Sequence, residues 1–262
     1  MSSPLLLERT NRHPRDERIV FDEEPHIYYV DNTPVRTSVT TLVHQYFSNF
    51  NADLIISRMM RGKNWESSKY YGMTADEIKQ QWKDAGNDAT HHGTIMHKAI
   101  ECFYNNEPPD NASDTQTIEY KQFERFQEDH KDKLRAYRTE WMVYDEEYDL
   151  AGSIDMVFEN IEDGTLSVYD WKRSKEIKTK NSYAKGIGVM NKLPDCNYIQ
   201  YSLQLNIYKH VLEKKYGKVI RDMFLVVMHP NYDSYMKYEV MDLQKEVNEI
   251  MTERKEYLKN HT

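Results

Sequence analysis

Apolar and polar positions alternate in two short runs, Leu150–Phe158 (LAGSIDMVF) and Leu166–Lys172 (LSVYDWK), separated by Glu159–Thr165. A strand turns successive side chains to opposite faces, so this period of two predicts two strands. Asp163-Gly164 between them is a strong hairpin signal. Arg138–Tyr144 (RTEWMVY) alternates in the same way, with Glu140, Met142 and Tyr144 on one face, and the three runs predict an antiparallel meander. Shorter strands are expected at Ile19–Phe21, His26–Val30 and Val35–Arg36, with Asp31-Asn32 as a turn, and two later ones at Arg221–Met228 and Ser234–Val240.

Helical spacing fills the intervals. It is expected from Ser38 through Tyr46, over Ala52–Met60, and over Thr74–Asp84, where Thr74 and Glu77 form a capping pair. From Gly93 onward, Met96, Ile100 and Phe103 recur at helical spacing, as do Ile95, Ala99 and Cys102, which predicts a broad buried face. His97, Glu101 and Tyr104 form a stripe beside that face. Asn106–Thr115 reads as a loop, Gln116–Arg135 as a charged helix and Asp242–Leu258 as a closing one. Pro194–Tyr216 reads as a helix with proline in its first turn and Gly217 as its stop. Tyr201, Gln204 and Tyr208 share one stripe of it, and buried groups of that kind need polar partners.

Composition narrows the class. The longest apolar run, Met223–Met228, is far short of the roughly 20 residues of a membrane span. The start, MSSPLLLERTNRHPR, suggests neither signal peptide nor anchor. Cys102 and Cys196 form no close-spaced pair, which argues against a zinc knuckle, an iron–sulfur cluster or a disulfide framework. A reducing intracellular compartment, cytoplasm or nucleus, is the expectation. The net charge of −8 argues against nucleic-acid binding through the whole surface. Locally the picture differs. Lys172–Lys192 holds seven Lys/Arg against one acid, Glu176, for a net +6, and Gly186 and Gly188 lend it flexibility. Such a run is either a solvated loop or a track for a polyanion.

Candidate chemistry lies at the ends of the meander. Asp170 and Lys172 project from one face, Trp171 from the other, and the hairpin brings Asp155 near Asp170. Two carboxylates beside one lysine suit a divalent metal and phosphodiester hydrolysis. His97, with Glu101 one turn later, offers a third ligand and a helper. Taken singly, these are also ordinary strand-edge acids, an exposed lysine and a packed imidazole.

In order, the chain carries Gly93-Thr94…His97…Glu101, Gly152-Ser-Ile-Asp155, Asp170-Trp-Lys172 and Tyr201-Ser-Leu-Gln204-Leu-Asn-Ile-Tyr208. This series, over about residues 90–230, resembles the RecB-type branch of the PD-(D/E)XK nuclease superfamily. That branch includes RecB-like recombination nucleases, CRISPR-associated exonucleases and the mitochondrial genome maintenance exonuclease. The preceding segment resembles exonucleases of large DNA viruses, in which case the compartment is that of a host cell. Ile154 stands where the superfamily's name has proline, and the four-cysteine cluster of several relatives is absent.

The resemblance implies an α/β, restriction-endonuclease-like core: a central mixed sheet, its antiparallel meander carrying the site, flanked by helices. Residues 1–85 would be accessory strands and helices and residues 86–262 the nuclease core. It implies one or two Mg²⁺ or Mn²⁺ ions on His97, Asp155, Asp170 and the Trp171 carbonyl, and no iron–sulfur cluster. Lys172 would position or deprotonate the water and stabilise the transition state. Gln204 and Tyr208 would orient Lys172 or the phosphate, and Glu101 would support His97. Arg173, Lys175, Lys178, Lys180, Lys185 and Tyr201 would contact DNA, single-stranded or with free ends, without any membrane. The activity implied is exonucleolytic. A structure-specific endonuclease would use the same site, whereas a decayed nucleic-acid-binding module would have broken Asp155, Asp170 or Lys172. A scaffold for partner proteins would leave the His–Asp–Asp–Lys series to chance.

Overall fold

The computed structural model of the chain describes residues 5–261. The first four residues of the amino-terminal stretch lie outside them, as does Thr262. The chain divides into two compact units, Asn49–Ile95 and the combination of Met1–Ser48 with Met96–Thr262.

In the larger unit, α1 (Leu6–Thr10) precedes a small antiparallel sheet of β1 (Ile19–Asp22), β2 (Ile27–Val30) and β3 (Thr33–Pro34). Asp31 and Asn32 both take positive φ, +50° and +63°, which makes the expected turn. Val35–Arg36, expected as a strand, instead link β3 to β4 (Thr37–Ser38). Val35 N–H still bonds Tyr28 O, but the Arg36 N–H is drawn to Asp149 Oδ1 at 3.0 Å and the chain turns away. Ser38 caps α2 (Val39–His44), its hydroxyl accepting from Thr41 N–H at 3.1 Å.

The smaller unit holds α3 (Ala52–Met60), capped by Asn51, and the first two-thirds of α4 (Ala75–Asn105). Ile56 and Ile78 are buried, Lys79 pairs with Asp53 at 2.6 Å, and Trp82 Nε1–H donates to Tyr70 Oη at 2.8 Å. Thr74 and Glu77 make the expected reciprocal cap. The sequence reading had two helical segments here, and the structure joins them into one helix of 31 residues. Gly86 and Gly93 lie inside it without breaking it, since an interior glycine costs only about 1 kcal/mol and no proline intervenes. The expected division at 85/86 falls within this helix.

The remaining elements are α5 (Ile118–His130), β5 (Leu134–Asp145), β6 (Leu150–Asn160), β7 (Leu166–Arg173), α6 (Asn197–Lys215), β8 (Ile220–Met228), β9 (Met236–Glu239) and α7 (Gln244–Asn260). The helix expected to reach Arg135 ends at His130, because Leu134 and Arg135 already pair with Asn160 and Glu159 in the sheet. α6 starts three residues after Pro194, which forms a bridge to Lys185 while Cys196 is still extended.

A mixed sheet organises this unit, with β6 antiparallel to β5 and β7, β8 parallel to β7, β9 antiparallel to β8, and β4 parallel to β6. One face packs Val168, Leu225 and Ile154 against α2, α6 and α7; the other packs Tyr169, Trp171, Val226 and Phe158 against α5 and the end of α4. Period two thus places Trp171 in one core and leaves Asp170 and Lys172 opposite. The alternation slips at Asp155: Ile154 belongs to the first face and Met156 to the second. Among the described residues, no helix is long and apolar enough to cross a membrane.

Candidate active site

The slip in β6 has a counterpart on β5. The ladder pairs Thr139 with Met156 and Trp141 with Ile154 but omits Glu140 and Asp155 between them, and Glu140 stands at φ +42°. That left-handed conformation is uncommon for a residue with a Cβ. On the other side, the register of β6 with β7 reaches Met156–Tyr169 and stops short of Asp155. Asp155 and Glu140 are therefore released from the regular pleat at the same level of the sheet.

His97 reaches this point from α4. Its Nε2 lies 2.8 Å from Trp171 O. A carbonyl only accepts, so Nε2 carries the proton and Nδ1 is turned to the acids, 3.6 Å from Asp155 Oδ2 and 3.8 Å from Glu140 Oε1. Trp171 N–H donates to Asp155 Oδ2 at 3.0 Å, and Ser153 Oγ–H donates to Glu140 Oε2 at 3.0 Å, so both carboxylates are oriented. One ligand atom each from His97, Glu140 and Asp155 lies within 4.8 Å of the others. One imidazole nitrogen and two carboxylate oxygens, held by a second set of hydrogen bonds, are a donor set that fits a hard divalent cation.

The charges show what the group costs without one. Burial lowers the His97 pKa, but the Asp155 charge and the Glu140 contact outweigh burial and Lys172, raising it to about 9. Burial pushes the Asp155 carboxyl above its ordinary value despite His97 and Lys172. Asp170 is raised to about 6, by burial and by Asp155, with Lys172 opposing. Lys172 itself is raised: burial works against its charge, and Asp170 and Asp155 overcome it.

The expected site residues divide. His97 and Asp155 come together as donors, whereas the Trp171 carbonyl, expected as a ligand, accepts from His97 Nε2, the ring nitrogen not turned to the acids. Asp170 is 3% exposed, and its Oδ2 lies 2.7 Å from Lys172 Nζ, so its nearest cation is the lysine. Tyr201 supports that lysine from α6, its ring centroid 4.8 Å from Nζ. Tyr208, buried and hydrogen-bonded to Gln204, backs onto β6 at Gly152; a Cβ there would stand 2.8 Å from the Tyr208 hydroxyl. Glu101 is not brought to the cluster; it pairs with Lys98 at 2.8 Å. Arg173, expected on DNA, is turned inward to Glu119, with Nε to Oε1 at 2.6 Å and both side chains buried or nearly so. The reason is register: Arg173 alternates to the α5 side, where Glu119 is the available anion. Lys175, Lys178, Lys180 and Lys185 are exposed. Glu140 is the member that the sequence reading missed as a ligand; its place opposite Asp155 in the meander was the available signal.

The sequence model of the PD-(D/E)XK nuclease superfamily matches residues 67–260, which include every residue of this cluster. The chain belongs to that superfamily. Among solved structures it is similar to one described as "Crystal structure of SSO0001", at 16% identity and TM-score 0.29, covering 86% of this chain and 76% of that one. No curated relative matches it. Nucleases of this superfamily typically use divalent metal ions and act on nucleic acid, which agrees with the donor set found here.

Proposed function

We propose that this PD-(D/E)XK protein is a Mg²⁺- or Mn²⁺-dependent deoxyribonuclease of the RecB-like kind, an exonuclease acting on single-stranded or processed DNA ends. The observation that carries the metal-dependent reading is the convergence of His97, Glu140 and Asp155 next to the Asp170–Lys172 pair. His97 Nδ1 and the two carboxylates would hold the cation. A divalent ion there would polarise a phosphoryl oxygen and lower the pKa of an attacking water.

The chain's own residues supply the rest. Asp170, 2.7 Å from Lys172 Nζ, and Asp155 both stabilise the lysine's charge. As a cation it would offset charge growing on the phosphate. Asp170 and the Tyr201 ring hold Lys172 in place, so no reorganisation is needed during reaction. The exonuclease assignment rests on the likeness to the RecB-type motif series. An endonuclease would use the same groups, because end-dependence lies in how the strand is delivered.

The test is cleavage of end-labelled linear and circular DNA with Mg²⁺ or Mn²⁺. EDTA and Asp155→Asn should each abolish cleavage, since an amide cannot replace the charge a hard cation prefers. Lys172→Ala should lower kcat by about 10²–10³-fold with DNA affinity nearly intact. Full activity in EDTA would overturn the assignment, and cleavage of circles would turn it to an endonuclease.

A further inference from the structure

The loop that follows β7 presents one aromatic ring without cover. Tyr183 is 100% exposed, and Lys180 and Lys185 beside it are exposed too. A single exposed ring is ordinary by itself. Here the backbone beneath the ring is tied down.

Asn181 Oδ1 accepts from the N–H groups of Tyr183 at 2.9 Å and Ala184 at 3.1 Å, while its Nδ2 donates to Asp195 O at 2.6 Å. Asp195 N–H returns to Ala184 O at 3.0 Å, and Gly186 N–H bonds Leu193 O at 3.1 Å. Lower in the loop, Lys178 N–H donates to Asn197 Oδ1 at 2.8 Å. Ile177 and Met190 are buried beneath it, and Met190 packs so close to Gly186 that a Cβ there would lie 2.6 Å from its own. The loop has almost no regular secondary structure, yet it is anchored from both strands of its base.

A loop tied down in this way, with an exposed aromatic ring and exposed lysines three residues before it and two after it, has the chemistry of a single-strand platform. The ring stacks on a base, the ammonium groups meet the flanking phosphates, and little ordering is lost on binding. A duplex interior cannot use such a ring, because its bases are already stacked. We infer that Tyr183 is a stacking site for an unpaired base of the bound strand; this rests on the nuclease reading above.

Binding of a labelled oligo-dT of about 16 nucleotides tests it, measured by anisotropy in the cleavage-inactive Asp155→Asn protein with Mg²⁺. Adding Tyr183→Ala should weaken binding about 5- to 150-fold. Tyr183→Phe should retain binding, and duplex of the same length should be indifferent to either change. On a base-free oligomer of equal length, Tyr183→Ala should have no effect. Since the side chain touches solvent alone, folding is not at stake. If the unsubstituted chain cleaves DNA and Tyr183→Ala binds oligo-dT equally well, the stacking inference fails and the nuclease reading stands. If the unsubstituted chain neither binds nor cleaves any DNA, both fall.

Discussion

Glu140 holds a backbone conformation that costs about 1–3 kcal/mol for a residue with a side chain. Its φ of +42° turns a carboxylate toward His97 and Asp155, at a level where β5 and β6 do not pair. Alternation along Arg138–Tyr144 shows that Glu140 shares a face with Met142 and Tyr144, but no periodicity reports a left-handed residue. That is why the sequence held His97 and Asp155 in view and missed the third donor. Glu140→Gln keeps an acceptor for Ser153 and loses the charge, so Mn²⁺ affinity by calorimetry should fall about 10- to 100-fold. Glu140→Gly should bind no Mn²⁺ tightly, yet in EDTA its urea unfolding free energy should rise by about 1 kcal/mol as the strain is released. A less stable glycine variant would remove strain from the account.

His229 gives a second residue-scale expectation, independent of metal. It is 5% exposed, its N–H bonds Gln122 Oε1 at 2.9 Å, and its Nδ1 accepts the Asn231 N–H at 3.1 Å. A protonated Nδ1 cannot accept. Burial, and then the charges of Arg173 and Lys175, lower its pKa below 6.5, with Glu119 opposing. The folded value is depressed, so this stabilisation is fully present above pH 6.5 and is lost as pH falls through the folded pKa. Its slope is at most about 1.4 kcal/mol per pH unit. His229→Asn keeps an acceptor that does not titrate. Wild type should therefore lose its advantage over that variant as urea unfolding is moved from about pH 7.5 to about pH 5.5. A constant difference would mean that the ring titrates equally in both states.

At the scale of elements, the three-strand meander was legible because period two and an Asp-Gly turn are local signals. α6 was legible at its end, where Gly217 takes φ +62°, and less so at its start, where a bridge to Lys185 holds Pro194 extended. The joining of two helical segments into α4 was not legible, since glycines inside a helix and between helices look alike in one dimension. The contact of α6 with β6 is where element packing reaches the site. An added methyl at Gly152 would meet the Tyr208 hydroxyl at 2.8 Å and Val39 Cγ2 at 3.1 Å. Neither strand nor helix has slack there, because Tyr208 is buried and Val39 belongs to the same core. Gly152→Ala should cost about 1–3 kcal/mol by denaturant unfolding, as overpacking does. Tyr208→Phe in the same chain should recover part of that loss by withdrawing the nearest atom. Absence of recovery would place the strain at the Tyr208 ring, whose Cε1 would stand 2.9 Å away, or at Val39.

For the whole molecule, a net charge of −8 opposes any polyanion, so local attraction must exceed global repulsion. The exposed lysines between β7 and α6 concentrate positive charge, even with Arg173 turned inward to Glu119, and we propose that they supply that attraction. At physiological salt the screening length is about 8 Å, so ammonium groups in contact with phosphate act while distant acids are largely masked. Each phosphate contact on a single strand contributes about −0.7 to the slope of log affinity against log salt. Replacing Lys175, Lys178, Lys180 and Lys185 with glutamine removes four cations and takes the net charge from −8 to −12. The salt slope should flatten by about 0.7 for each lysine that meets a phosphate. KM should rise while kcat changes less, because none of the four touches the Asp170–Lys172 pair. A slope equal to that of wild type would move the phosphate-binding cations elsewhere on the chain.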